Sequence, residues 1–133
     1  MLVAPFLEEV LRLKGPFNGF WRRATSDTEV GGAAVRAGDA LHLAFAVANR
    51  DPQRFASPDD LTIDSRQSPH LAFGHGAHFC VGAPLARAEA RLAIEALLTN
   101  RAFEIAPGAS PTSWFPDGGI HGPLSLHLKV SHV

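Results

Sequence analysis

The stretch HLAFGHGAHFCVGAPLARAEARLAIEALL, residues 70–98, decides how the chain is read, because it holds the single cysteine, Cys80. A glycine- and histidine-rich approach leads up to the thiol, and a run of helical character follows it. Pro84 suits the first position of a helix, where its missing N–H costs nothing, and the helix is expected over 84–100. Cys80 therefore stands just ahead of a helix N-terminus, where unbonded N–H groups and the positive end of the dipole favour an anionic sulfur. Gly74, Gly76 and Gly82 remove side chains on both sides of the thiol, so a large flat ligand can approach the backbone closely. A plainer account uses the same residues: one cysteine as a small buried apolar side chain, with glycines that only make turns.

Composition narrows the classes. With 133 residues and 46% hydrophobic content, the chain has the size and apolar fraction of one ordinary globular unit. Its formal net charge is -1 and its basic residues are scattered, which excludes the electrostatic footprint of a nucleic-acid binder. One cysteine makes no internal disulfide, which points to a reducing compartment, with the cytoplasm expected, or to chemistry of the thiol itself. The opening MLVAPFLEEVLRLKG reaches acids at Glu8 and Glu9 without a basic leader, and reads as neither signal peptide nor membrane span.

Along the chain there is no repeat and no low-complexity tract. A first helix is expected from Pro5 to about Lys14, ended by Gly15-Pro16. Residues 22–43 suggest two or three short strands with turns at Gly31-Gly32 and at 37–39. Residues 50–69 form an irregular meander, expected to be ordered by packing alone. Beyond the long helix, 103–105 and 124–130 look like strands flanking a Pro/Gly-rich loop. The fold class is mainly α with small β-sheets, α+β.

The order Phe73, Gly74, two spacers, His78, spacer, Cys80, spacer, Gly82 resembles the haem-thiolate signature of the cytochrome P450 family. The run LARAE, 85–89, continues the resemblance into the helix that follows. Away from the cysteine, EVLR places Glu9 and Arg12 at i and i+3, on one helix face. DSRQ supplies Arg66 to complete the ion network the family carries. WRRATSDTEVGG, 21–32, resembles the bacterial segment in which an arginine binds a haem propionate. That position is Arg22, with Arg23 as the neighbouring alternative, and ANRDP, 48–52, is a further family string. Val35-Arg36 departs from the family, which often has a proline after the apolar residue.

The resemblance implies a monooxygenase that inserts one oxygen atom of O2 into a small apolar organic substrate. Electrons would come from a ferredoxin- or flavin-type donor. The implied cofactor is haem b, with Cys80 as the axial iron ligand and Phe73, Gly74, His78, Gly82 and Arg22 around it. Glu9, Arg12 and Arg66 are the implied structural ion network. Loops at 15–21 and 117–122 resemble pocket-lining segments, with Phe17, Phe20 and Trp21 as apolar candidates. Residues 1–133 would be the C-terminal haem-binding portion of a longer domain, soluble and not membrane-bound. The central oxygen-activating helix would lie outside it, so no catalytic residue is assigned. Such a piece alone is expected to self-associate.

A rival reading from another class is a non-catalytic metal- or haem-binding module. His70, His75, His78 and Cys80 carry imidazole and thiolate donors suited to a transition metal, but their spacing matches no common zinc pattern.

Overall fold

The computed structural model of the chain describes residues 2–63, 69–99, 101–107, 114–115 and 119–132. Helix α1, Val3–Lys14, starts two residues before Pro5 and ends where Gly15-Pro16 stops it, as expected. Strand β1, Phe20–Arg23, pairs antiparallel with β4, Ala40–Leu43. Inside that pair lies a second hairpin, β2 Thr28–Val30 with β3 Ala33–Val35. Its two-residue turn has φ 58° at Gly31 and 83° at Gly32. Both angles lie in the left-handed region that a type I′ turn demands, which explains the Gly-Gly pair. The segment thus holds four strands rather than two or three, because FWRR, without apolar alternation, gave no strand signal of its own. The turn after Val35 closes without proline: the Asp39 N–H donates to the Arg36 carbonyl at 3.0 Å, and Asp39 Oδ2 accepts the Arg36 N–H at 2.8 Å.

A short helix α2, Phe45–Ala48, leads into the meander. Helix α3, Ala83–Leu98, begins one residue before the expected start, so Pro84 sits second and not first. Strand β5, Arg101–Ile105, pairs with β6, Leu128–His132. Leu124 therefore lies outside the strand predicted over 124–130, and β5 begins two residues before the expected 103. Arg66 with the rest of DSRQ, Asn100 at the end of the expected helix, and Asp117 and Gly118 of the expected pocket-lining loop lie outside the described residues. Among the described residues, no helix is long and apolar enough to cross a membrane.

Little is buried among the described residues. There the buried apolar side chains are Leu7, Leu13, Val35 and Ala83, and they share the interior with Glu9, Arg12 and Asn49. The accessible surface is 9806 Å². A self-contained folded protein of this mass exposes only roughly 6,800 Å² by the usual scaling, so roughly 3,000 Å² more is open here. The excess includes Leu85, Leu92, Leu97 and Leu98 along α3.

Candidate functional site

The loop before α3 is folded around its own backbone. The Cys80 N–H donates to the Phe73 carbonyl at 2.9 Å and the Gly74 N–H to the Leu71 carbonyl at 2.9 Å, while a single 3₁₀ turn, Gly76–His78, fills the interior. Gly74 has φ 75°, which a side chain would strain, and this reversal lets the chain double back to bring Cys80 beside Phe73. Cys80 is exposed, which rules out the plainer account of a small buried core thiol. Gly82 caps α3, and a Cβ added there would stand 3.8 Å from the Cys80 sulfur. The thiol thus faces open space immediately before a helix start.

That space is a cavity of about 1420 Å³. It exceeds the roughly 300–1,000 Å³ of pockets for drug-sized ligands. Its walls come from α1 (Leu7, Leu11), the segment after it (Pro16, Phe17, Phe20) and α3 (Ala86, Ala90). Cys80, Gly74 and Gly82 line it as well, as do Arg22, His42, His75 and His78. Phe17 and Phe20 stack at 5.4 Å, and Phe45 meets Phe20 edge-on at 5.9 Å. Trp21 does not line the cavity. It pairs across β1 and β4 with His42, the rings 4.7 Å apart. Of the two arginines, Arg22 lines the cavity, while Arg23 donates to the Gly38 carbonyl at 2.6 Å. None of residues 119–122 lines it. They are tied instead to the loop after α1, where the His121 N–H donates to the Pro16 carbonyl at 2.6 Å.

Glu9 and Arg12 form the expected pair, and it is buried: each residue is 3% exposed. Arg12 Nε donates to Glu9 Oε2 at 2.8 Å and Nη2 to Oε1 at 2.6 Å. Nη1 also donates to the carbonyls of Asn49 and Pro58, and Nη2 to that of Asp60, at 2.8, 2.7 and 3.0 Å. All five N–H donors of a guanidinium are then used. The Phe55 ring covers it at 4.7 Å. The Arg12 guanidinium holds the Glu9 carboxyl below the usual carboxylate range against the opposing effect of burial, with help from the Thr62 N–H at 3.0 Å. The described part of the meander, residues 50–63, is therefore held by hydrogen bonds to Arg12 and Glu9 and by an Arg50–Asp59 ion pair at 3.2 Å, and not by packing alone as the sequence suggests. Asn49 links this network to the cysteine loop, because its Oδ1 accepts the Leu71 N–H at 2.6 Å. Sequence reasoning noticed ANRDP without giving Asn49 this role.

A second ion network was not foreseen. Both Glu8 oxygens accept from Arg87 of α3, at 2.7 and 2.8 Å, and Oε2 also meets His70 Nε2 at 3.1 Å. Arg87 holds the Glu8 carboxyl below its usual range, and Glu8 in turn raises Arg87. His70 Nδ1 accepts the Ala72 N–H at 3.2 Å. Its Nε2 therefore carries the proton given to Glu8, and burial lowers the imidazole pKa. With both ring nitrogens engaged, His70 has no lone pair for a metal. Among the described residues no three of His, Cys, Asp and Glu stand together as an ion site, which corrects the His70, His75, His78 and Cys80 alternative.

Comparison with known proteins agrees with this geometry. The chain is 47% identical over 130 residues to cytochrome P450 109 of Bacillus spizizenii, covering 97% of this chain and 32% of that protein. It superimposes on P450BioI, solved with an acyl carrier protein ligated to hexadec-9Z-enoic acid, with a TM-score of 0.91 and 34% identity over 98% of this chain and 34% of that one. CYP109E1 from Bacillus megaterium, solved with testosterone, gives a TM-score of 0.89 and 30% identity over 96% of this chain and 34% of that one. The chain thus spans about a third of the relatives it matches. Residues 2–127 match the family description "Cytochrome P450". A thiol facing a large apolar cavity, a glycine-lined cysteine loop and a buried Glu-x-x-Arg pair are three independent features that this match unites: the chain belongs to the cytochrome P450 family.

Proposed function

We propose that this chain is the haem-binding part of a cytochrome P450 monooxygenase and that the cavity beside Cys80 accommodates haem b. One observation carries the proposal: a soft thiol and the side chains of Arg22 and His78 border one large cavity whose lining is otherwise mostly apolar, with His42 and His75 the further polar members. That donor set fits a flat apolar group with a metal at its centre and carboxylates at its edge. Haem, when bound, supplies the iron that activates dioxygen for insertion of one atom into the substrate, and thiolate ligation favours O–O cleavage there.

The remaining roles belong to the chain. Cys80, just ahead of α3, would hold the iron through its sulfur. Gly74 and Gly82 would leave room for the ring, with Phe73 beside them in the cavity lining. Arg22 would hold a carboxylate of that group by charge-assisted hydrogen bonds, and His78 would hydrogen-bond the other. Glu9 and Arg12 hold the described part of the meander through Pro58, Asp60 and Thr62, and Arg66 is proposed as a third member from the family resemblance alone. Leu7, Leu11, Phe17 and Phe20 would supply apolar contacts to the haem.

The substrate class is a small apolar organic molecule. The acyl chain of the P450BioI complex and the testosterone of CYP109E1 support it. The electron donor is of ferredoxin or flavin type, and the setting is cytoplasmic. Residues 1–133 form one part of a larger catalytic domain, whose proton-delivering groups are not among them. The test is Cys80→Ser in the haem-loaded protein. Loss of the thiolate-type carbon monoxide difference spectrum and of turnover, with secondary structure by circular dichroism unchanged, is expected. An unaltered spectrum would place the ligand elsewhere.

A further inference from the structure

We infer that Glu8, His70 and Arg87 are positioning residues for Cys80, acting through Phe73 to hold the sulfur in its ligating orientation. The inference rests on the haem-thiolate reading above and adds residues to it. The path is short. Arg87 Cζ lies 4.5 Å from the centre of the Phe73 ring, and the His70 ring lies 6.3 Å from the same ring. Phe73 accepts the Cys80 N–H through its carbonyl, so the residue gripped by its ring also fixes the cysteine backbone.

The grip itself is over-determined. Glu8 holds the Arg87 fork with both oxygens, and His70 binds the same carboxylate while its other nitrogen takes the Ala72 N–H in the approach to the loop. An ordinary surface ion pair has none of these features and contributes little. Glu8 and Arg87 are themselves about a third exposed, but the His70 side chain that shares the carboxylate is only 6% exposed, and the pair joins α1 to α3 through residues 79 positions apart. A ligand must be held within about 0.5 Å of its working geometry by such supporting contacts. Arg87 suits that task better than lysine would, because its planar head both forks onto a carboxylate and stacks on a ring.

The experiment compares Glu8→Gln, Arg87→Lys and Arg87→Ala in the haem-loaded protein, with Cys80→Ser and Arg91→Lys as controls. Three quantities are read: haem content, the thiolate-type fraction of the carbon monoxide complex, and the reduction potential. Arg87→Lys and Glu8→Gln are expected to keep haem but to raise the non-thiolate fraction about tenfold and to shift the potential. Arg91→Lys, on the same helix, leaves both unchanged. An unchanged thiolate fraction and potential in the haem that Arg87→Lys and Glu8→Gln retain overturns the inference, even where haem content falls, since that is all a merely structural pair would do. Should Arg87→Ala not fold, those two variants decide. A wild-type-like spectrum from Cys80→Ser overturns the haem-thiolate reading instead, so the two failures are distinguishable.

Discussion

Helices α1 and α3 pack against each other yet are held by different means. α1 has 12 residues and buries Leu7, Glu9, Arg12 and Leu13, so half of its buried set is charged. α3 has 16 residues and buries only Ala83. Its large side chains face outward, with Leu85 63% and Leu92 58% exposed. The shorter helix is anchored by a fully satisfied guanidinium, whereas the longer one is tied by one ion pair and the close fit of a single alanine. Order around the cysteine loop therefore comes from saturated polar contacts, and the apolar face of α3 has no cover within the described residues. Helix burial and helix length are decoupled here because the core is polar at its centre.

The sharpest way to break this comparison is to remove the anchor of α1. Arg12→Ala should destabilise the folded protein by ~3–5 kcal/mol, because Glu9 is left as a buried charge and the Asn49, Pro58 and Asp60 carbonyls lose their donor. Urea unfolding followed by circular dichroism measures it. A loss below about 1 kcal/mol would put the pair in the class of surface ion pairs. Next in size is the one buried contact of α3. Ala83 is 0% exposed, so Ala83→Leu forces atoms into filled space and should cost about 1–3 kcal/mol by the same measurement.

The second network sharpens the comparison through pH. His70 is kept neutral in the fold because burial lowers its pKa, against Glu8 and Glu9 of α1 and with Arg87 of α3. Its contribution is complete above the unfolded histidine value of about 6.5 and is lost as pH falls from there toward the lower folded value. Glu8 and Glu9 are also lowered, by Arg87 and Arg12. Their contribution is present above about 4.3 and is lost as pH falls through their folded values. Stability should therefore fall in two steps on acidification, measurable as melting temperature against pH. His70→Gln should erase the upper step. Glu8→Gln should deepen it, since the carboxylate is what supports a protonated His70. A single step in the wild type, centred on the carboxylates alone, would contradict the buried neutral imidazole.

How far each part could be read from sequence follows from the range of the interactions. Glu9 and Arg12 are three residues apart on a helix, so their pairing was legible. The acceptors from Asn49, Pro58 and Asp60 were not, because backbone carbonyls in an irregular segment leave no mark in residue type. The cysteine loop was legible because its reversal needs glycine at particular places, and Gly31-Gly32 announced its hairpin for the same reason. Strand β1 was missed because Phe20–Arg23 is exposed along its whole length and has no alternation to detect. Arg87 stood in the quoted LARAE run, yet its partner Glu8 lies 79 residues away, and a single sequence carries no signal for a pairing of that span. The small set of buried residues had the same origin: periodicity shows that α3 has an apolar face but not what, if anything, covers it.

The smallest expected change in stability tests that face. Leu92 is more than half exposed, so Leu92→Lys removes almost no contact within the chain and should alter the unfolding free energy by no more than about 0.5 kcal/mol. Its effect should appear in solution behaviour instead. An exposed apolar stripe of this kind drives association, and the 133-residue chain on its own should scatter light as a mixture heavier than its monomer. Leu92→Lys together with Leu98→Lys should move that distribution toward the monomer mass while Arg12→Ala does not. The two helices would then be separated cleanly, one carrying stability without governing association and the other governing association without carrying stability. A monodisperse monomer from the unaltered chain would show that the α3 face is tolerated in water, and the roughly 3,000 Å² of extra surface would then need no partner at all.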